Sequence, residues 1–256
     1  MERIGSYEIV RKIGEGGFGR TYEGRHILLP DVKACLKQNI EVSLEDKLIL
    51  EKEASILAKI HHHSLPAFRD FIARPDGSYV LIMSYIEGKR LDKSVEKHQA
   101  INPEDIAWVT QRLLNATYFL HRSGIIHGDI KPSNIIVQPH EDNAYLVDFG
   151  LSSFKPKATT QQEGFTPIFV APEIQEGRNP IPESDLYSLG LSMIYALGGN
   201  VHTKIMPEHV PKQLQQFYLD LTQFSPLQRP DEEKVDLVAK LSEIRKAVFG
   251  RASRKG

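Results

Sequence analysis

The chain of 256 residues has a single cysteine, Cys35, which excludes an internal disulfide framework and a cysteine-built zinc cluster and fits a reducing compartment. Net charge is also nearly absent. Thirty-two Lys and Arg oppose 33 Asp and Glu, leaving −1, so no overall field is tuned to nucleic acid or an anionic membrane. No apolar run reaches the ~18–20 residues a bilayer crossing needs, and the opening MERIGSYEIV lacks the apolar core of a signal peptide. The expected location is cytoplasmic, with no membrane segment and no nucleic-acid partner. Internal repeats and low-complexity tracts are missing as well. Charge of one sign gathers only near the end, where Arg245, Lys246, Arg251, Arg254 and Lys255 read as a frayed, solvated basic tail rather than an interaction arm. What is present is ordinary for a globular protein, 41% hydrophobic and 25% charged, with length for one large domain or two small lobes.

The first third reads as strands with one helix. YEIVRKI, RTYEGRHI and VKACLKQ alternate or are β-rich, broken by glycines and Pro30. Residues 44–60 instead carry helical spacing, with Leu50, Ala54, Leu57 and Ala58 on one side. Strands are expected over Phe68–Ala73 and Tyr79–Met83, joined by the turn signal Pro75–Asp76–Gly77. After Glu87–Gly88 the pattern turns helical. Residues 103–122 open on Pro103 with early acids and close on a basic residue, as capping and the helix dipole favour. Residues 184–197 are apolar on nearly all sides and read as a buried helix.

Residues 14–19, GEGGFG, place Gly14, Gly16 and Gly19 in a G-x-G-x-x-G pattern. A dinucleotide-binding turn or a Walker A loop should open a helix, but the strand-like TYEGRHI follows, and Arg20 stands where the Walker lysine belongs. A glycine-rich hairpin laid over ATP phosphates has strand on both sides. Its glycines let the backbone approach phosphate with no Cβ in the way. An ordinary hairpin fits these six residues equally well, so the loop decides little alone.

Further motifs follow in order: ACLK with Lys37, a helix with Glu53, YVLIMSYIEG, IIHGDIKPSNIIV, LVDFG, APE at 171–173, SDLYSLG at 184–190 and QRP at 228–230. From Tyr7 to Arg229 this series resembles the eukaryotic-type (Hanks-type) serine/threonine protein kinases, and its brevity and H-G-D variant resemble bacterial stand-alone members. The resemblance implies an α+β, two-lobed kinase fold spanning 1–256. A small β-rich N-lobe would cover about 7–84, a hinge about 84–88 and a larger helical C-lobe about 89–248, with an ATP cleft between the lobes and a basic tail over 249–256. It implies that Lys37 holds the α- and β-phosphates and that Glu53 orients it, with Glu51 as the alternative acid and Lys33 out of register. Met83 would be the gatekeeper, and the backbone of Ser84 and Ile86 would bond adenine. Ile13, Thr21, Cys35 and Ile136 would sandwich the ring. Asp129 would take the proton of the incoming hydroxyl, and Lys131 would neutralise charge on the transferring phosphate. Asn134 and Asp148 would hold Mg2+, or Mn2+ in its place. Glu173 would pair with Arg229, Asp185 would brace the catalytic loop, and the His61–His63 run would be structural rather than a metal site.

Lys131 and Thr166 resemble the serine/threonine class, which makes a protein Ser/Thr hydroxyl the implied acceptor. Gly128 replaces the arginine of the family's H-R-D motif, the residue that gathers a phosphorylated activation loop. The expectation is therefore activity without loop phosphorylation, although Thr159 and Thr160 offer sites. Two rival readings are an inactive, ATP-binding pseudokinase and a small-molecule kinase. The first would lack Lys37, Asp129, Asn134 or Asp148, and the second lacks the complete glycine loop, APE and the final arginine.

Overall fold

Period-two alternation organises the first 87 residues. The computed structural model describes residues 2–16, 19–162 and 164–251, and the chain divides into two units, one ending at Glu87 and the other starting at Gly88. In the first unit, β1 (Arg3–Ile4), β2 (Tyr7–Gly16), β3 (Gly19–His26), β4 (Lys33–Gln38), α1 (Leu44–Leu57), β5 (Phe68–Ala73) and β6 (Tyr79–Ser84) follow in turn. The strands make one sheet in the order β1-β2-β3-β4-β6-β5, every pair antiparallel. On β4, Ala34 and Leu36 join Ile4, Val80 and Ile82 in an apolar cluster on one face. Cys35 and Lys37 therefore project from the other. Cross-strand register puts Thr21 and Leu81 beside Lys37 and Met83 beside Cys35, so these side chains share a face.

The same face carries α1. Ser43 caps it, its Oγ accepting from the Asp46 N–H at 3.0 Å, with Glu45 and Asp46 in the first turn where the dipole favours acids. Its buried stripe is Leu50, Glu53, Ala54, Ile56 and Leu57. Ala58, expected on that stripe, is instead the exposed C-cap, because the helix ends one residue earlier.

The second unit comprises β7 (Lys89–Arg90), α2 (Leu91–His98), α3 (Pro103–Arg122), β8 (Ile125–Ile126), β9 (Ile135–Gln138), β10 (Asn143–Leu146), β11 (Ser153–Phe154), α4 (Pro172–Gln175), α5 (Pro182–Ala196), α6 (Lys212–Leu221) and α7 (Leu237–Phe249). α3 starts at Pro103 with the Asn102 side chain accepting from the Glu104 N–H at 2.8 Å. α5 is buried continuously from Ser184 to Ile194 and packs against α2, α3 and α6. Among the described residues no helix is long and apolar enough to cross a membrane.

The basic tail is not one solvated segment. Leu237, Leu241 and Arg245 recur every fourth residue on the buried side of α7, so Arg245 is pulled into the core, where its Nη1 donates to Gln111 Oε1. Lys246 lies in the last turn of α7, and Arg251 Nη2 bonds Glu104 Oε2 at 2.8 Å. The helical period outweighs the local density of charge. Arg254 and Lys255 lie outside the described residues.

Two buried carboxylates tie this unit together. Glu173, at the start of α4, accepts from Arg229 Nη1 at 2.6 Å, Arg229 Nη2 at 2.8 Å and Ser184 Oγ at 2.7 Å. Burial alone would raise the Glu173 pKa, but these bonds hold it below its ordinary value. Asp185, on α5, accepts from the N–H groups of His127 at 2.7 Å and Gly128 at 2.9 Å, and lies 3.0 Å from His121 Nε2. His121 Nδ1 faces Glu232. Burial would lower the His121 pKa, but its two carboxylate partners override that and push it up to about 9. Burial would likewise raise the Asp185 pKa, but its bonds to His121 and to the Gly128 N–H hold it below its ordinary value.

Two outcomes follow for stability. Arg229→Met should cost about 3–5 kcal/mol in urea unfolding, because it strands a buried carboxylate, and the double variant with Glu173→Gln should recover part of that loss. The His121 contribution is complete below its ordinary value of 6.5 and is lost as pH rises through about 9. Thermal melts should therefore show His121→Gln less stable than wild type by up to about 3 kcal/mol near neutrality, with the gap closing between pH 6.5 and 9.

Candidate active site

In the first unit Lys37 Nζ donates to Glu53 Oε2 at 2.6 Å, with the two side chains only 8% and 1% exposed. Strand alternation delivers the lysine and the buried stripe of α1 delivers the acid. Glu51 is exposed, and Lys33 pairs at the surface with Glu87. Thr21, Cys35 and Met83 lie on the Lys37 face by register, while Ile13 sits in the irregularity where β2 slips past β3. Ser84 closes β6, with its N–H donating to Ala67 O at 2.9 Å and its Oγ accepting from Ala67 N at 2.9 Å. Ile86 follows in the half-buried stretch after it.

The three glycines of the loop differ. Gly19 has φ +147°, and a Cβ there would come within 2.6 Å of Gln38 O, so the sheet itself demands glycine. Among the described residues a Cβ on Gly16 would meet nothing within 4 Å, and one on Gly14 would meet only Thr21 Cβ at 3.9 Å. Packing among the described residues does not account for those two glycines.

In the second unit the loop from His127 to Asn134 joins β8 to β9. Asp185 holds its first two N–H groups, Ser152 Oγ donates to His127 O at 2.9 Å, and Ser192 Oγ donates to Ile130 O at 3.4 Å. The His127 ring is fully buried, edge-on to Phe149 at 4.8 Å between centroids, and burial lowers its pKa. Asp129 stands at the centre. Its Oδ2 accepts from Asn134 Nδ2 at 3.0 Å and pairs with Lys131 Nζ at 2.7 Å. Its Oδ1 accepts from Thr166 Oγ1 at 2.9 Å, and Thr166 Oγ1 accepts in turn from Lys131 Nζ at 2.8 Å.

Asn134 Nδ2 also donates to Asp129 O at 2.9 Å. The amide nitrogen is thus committed inward, and its oxygen is the end left for a cation. Asn134 O accepts from Val147 N at 2.9 Å, which ties the residue before Asp148 to the same loop. Asp148 has φ +69°, a left-handed conformation costly for a non-glycine residue and frequent where function constrains the backbone. Ile136 is half-buried on β9, opposite Arg90 and Tyr145.

Sequence reading missed four supporting residues: His121, Ser184, Glu232 and Gln162. Ser184 opens the SDLYSLG motif and His121 lies near the end of the 103–122 helix, so both stood within segments already read without being given a role. Glu232 and Gln162 carry no local signal: Glu232 meets His121, 111 positions away, and Gln162, besides its neighbour Gly164, meets Gly128, 34 positions away.

The sequence family described as "Protein kinase domain" matches residues 7–247. Serine/threonine-protein kinase D of Synechocystis is 33% identical over 239 residues, covering 86% of this chain and 45% of the relative. Serine/threonine-protein kinase F of the same organism is 30% identical over 219 residues, covering 76% and 44%. Serine/threonine-protein kinase ATG1b of Arabidopsis thaliana is 31% identical over 201 residues, covering 77% and 28%. The matches span less than half the length of each of these relatives. With the motifs, the two-unit architecture and a match running over nearly the whole sequence, the chain belongs to the protein kinase family.

Proposed function

We propose that this chain is a serine/threonine protein kinase that transfers the γ-phosphate of ATP, with Mg2+, to protein hydroxyls, and that it works without phosphorylation of its activation loop. The observation that carries the reading is the closed set of bonds joining Asp129, Lys131 and Thr166, with Asn134 holding Asp129 from behind. Among the described residues Asp129 Oδ2 already has two partners and Oδ1 one, so Oδ1 is the better placed to accept a substrate hydroxyl proton. Asp129 would align that oxygen for in-line attack, and Lys131 would counter charge on the transferring group. Serine/threonine preference rests on Lys131 and Thr166 flanking the same carboxylate.

Lys37, oriented by Glu53, would hold the α- and β-phosphates. Gly14 and Gly16, whose missing side chains leave open space, would let the backbone approach phosphate. For adenine, Met83, Ile13, Thr21 and Cys35 would supply the side chains around the ring, and Ser84 and Ile86 the backbone groups. The Ser84 N–H is already committed to Ala67, so its part falls to the carbonyl. The oxygen donors of Asn134 and Asp148 suit a hard divalent cation, Mg2+ or Mn2+, which when bound neutralises phosphate charge.

Wild type with radiolabelled ATP and Mg2+ should label a generic protein acceptor, and chelation should abolish the transfer. Asp129→Asn should retain ATP binding while lowering kcat by about 10²–10⁴-fold. Wild type that binds ATP yet labels neither itself nor any acceptor would make the chain a pseudokinase. Thr159→Ala with Thr160→Ala should leave kcat within about twofold, because no arginine at position 128 awaits a loop phosphate. A large rate increase on phosphorylating either threonine would reverse that part of the reading.

A further inference from the structure

Gly128 stands at the head of the catalytic loop with φ +79°, and a Cβ built on it would lie 2.8 Å from Leu151 O and 3.2 Å from Gln162 Oε1. The space that a side chain at this position would enter is thus already taken, in part by a residue of the activation loop. The Gln162 amide spends one N–H on Gly128 O at 2.8 Å and the other on Gly164 O at 2.6 Å. It bridges the residue before Asp129 to the residue two positions before Thr166, whose hydroxyl reaches Asp129 Oδ1. Gly128 is itself immobilised by Asp185 through its N–H, so the bridge anchors the loop to a fixed point.

We infer that Gln162 is the positioning residue of the activation loop, a neutral two-pronged clamp standing where related kinases use an arginine and a phosphate. The inference rests on the kinase reading above and adds how the loop is held. The clamp needs a donor on both prongs, because both partners are carbonyl oxygens. It also needs glycine at 128, since any side chain there would meet Gln162. Glutamate at 162 keeps the shape but brings an acceptor against two acceptors, and methionine keeps the length with no donor.

The test uses the full chain after phosphatase treatment, comparing Gln162→Met and Gln162→Glu with wild type. Two lost hydrogen bonds should lower kcat/KM for the protein acceptor by about tenfold or more, with the glutamate variant at least as impaired. The KM for ATP should stay within about twofold, because Lys37 and Glu53 are untouched. Amide hydrogen exchange should quicken over residues 164–169 and remain at the wild-type rate over Lys33–Gln38. Full acceptor kcat/KM in both variants would overturn the inference. So would an equal loss in ATP KM and exchange protection throughout the chain, which would mark Gln162 as a general fold residue. If wild type itself transfers no phosphate, the kinase reading fails separately, and the exchange pattern alone still decides the clamp.

Discussion

A carboxylate taken out of water must find partners, and the partners Asp185 finds are what give the catalytic loop its shape. Burying an ion carries a desolvation cost that hydrogen bonds and opposite charge have to offset. Asp185, 1% exposed, meets that demand with the N–H groups of His127 and Gly128 and with His121. Because α5 is buried along nearly its whole length, the carboxylate cannot move to meet the loop, and the loop comes to it. Asp129, two residues on, inherits that position.

The second buried ion set works at longer range. Arg229 brings the segment before α7 onto Glu173 at the end of the activation loop, with both ends of the guanidinium engaged. The two carboxylates thus bracket the stretch from Gly128 to Glu173. Within it the bonds are of another kind: hydroxyl, amide and one lysine, arranged around Asp129 and Gln162. Fully buried charges set the frame, while the Asp129 carboxylate within it is held by the partly exposed Lys131 together with one amide and one hydroxyl. A neutral amide at Gln162 engages its two carbonyl partners without any modification.

Much of the first unit was legible because strand alternation is local. Knowing that Leu36 faces the apolar cluster puts Lys37 on the other side, and helical spacing puts Glu53 on the buried stripe. The motif spacing around Asp129 was equally readable. Arg245 was not, because a charged residue on an apolar stripe reads as surface until the neighbouring helix is known. Glu232 and Gln162 were invisible for a related reason. Glu232 reaches His121, and Gln162 reaches Gly128, only when distant segments fold against each other, and nothing in their neighbours hints at which.

By itself the sequence determined the strands and helix of the first unit and the helices near 103–122 and 184–197, through their periodicity, and its ordered motifs carried the family resemblance and the residue types available for phosphoryl transfer. The tertiary structure decided which acids are buried and paired, why position 128 has no room for a side chain, and which amide stands beside it. Those outcomes depend on burial and on contacts between distant residues, and desolvation makes a charge costly or a hydrogen bond necessary only where water has been excluded.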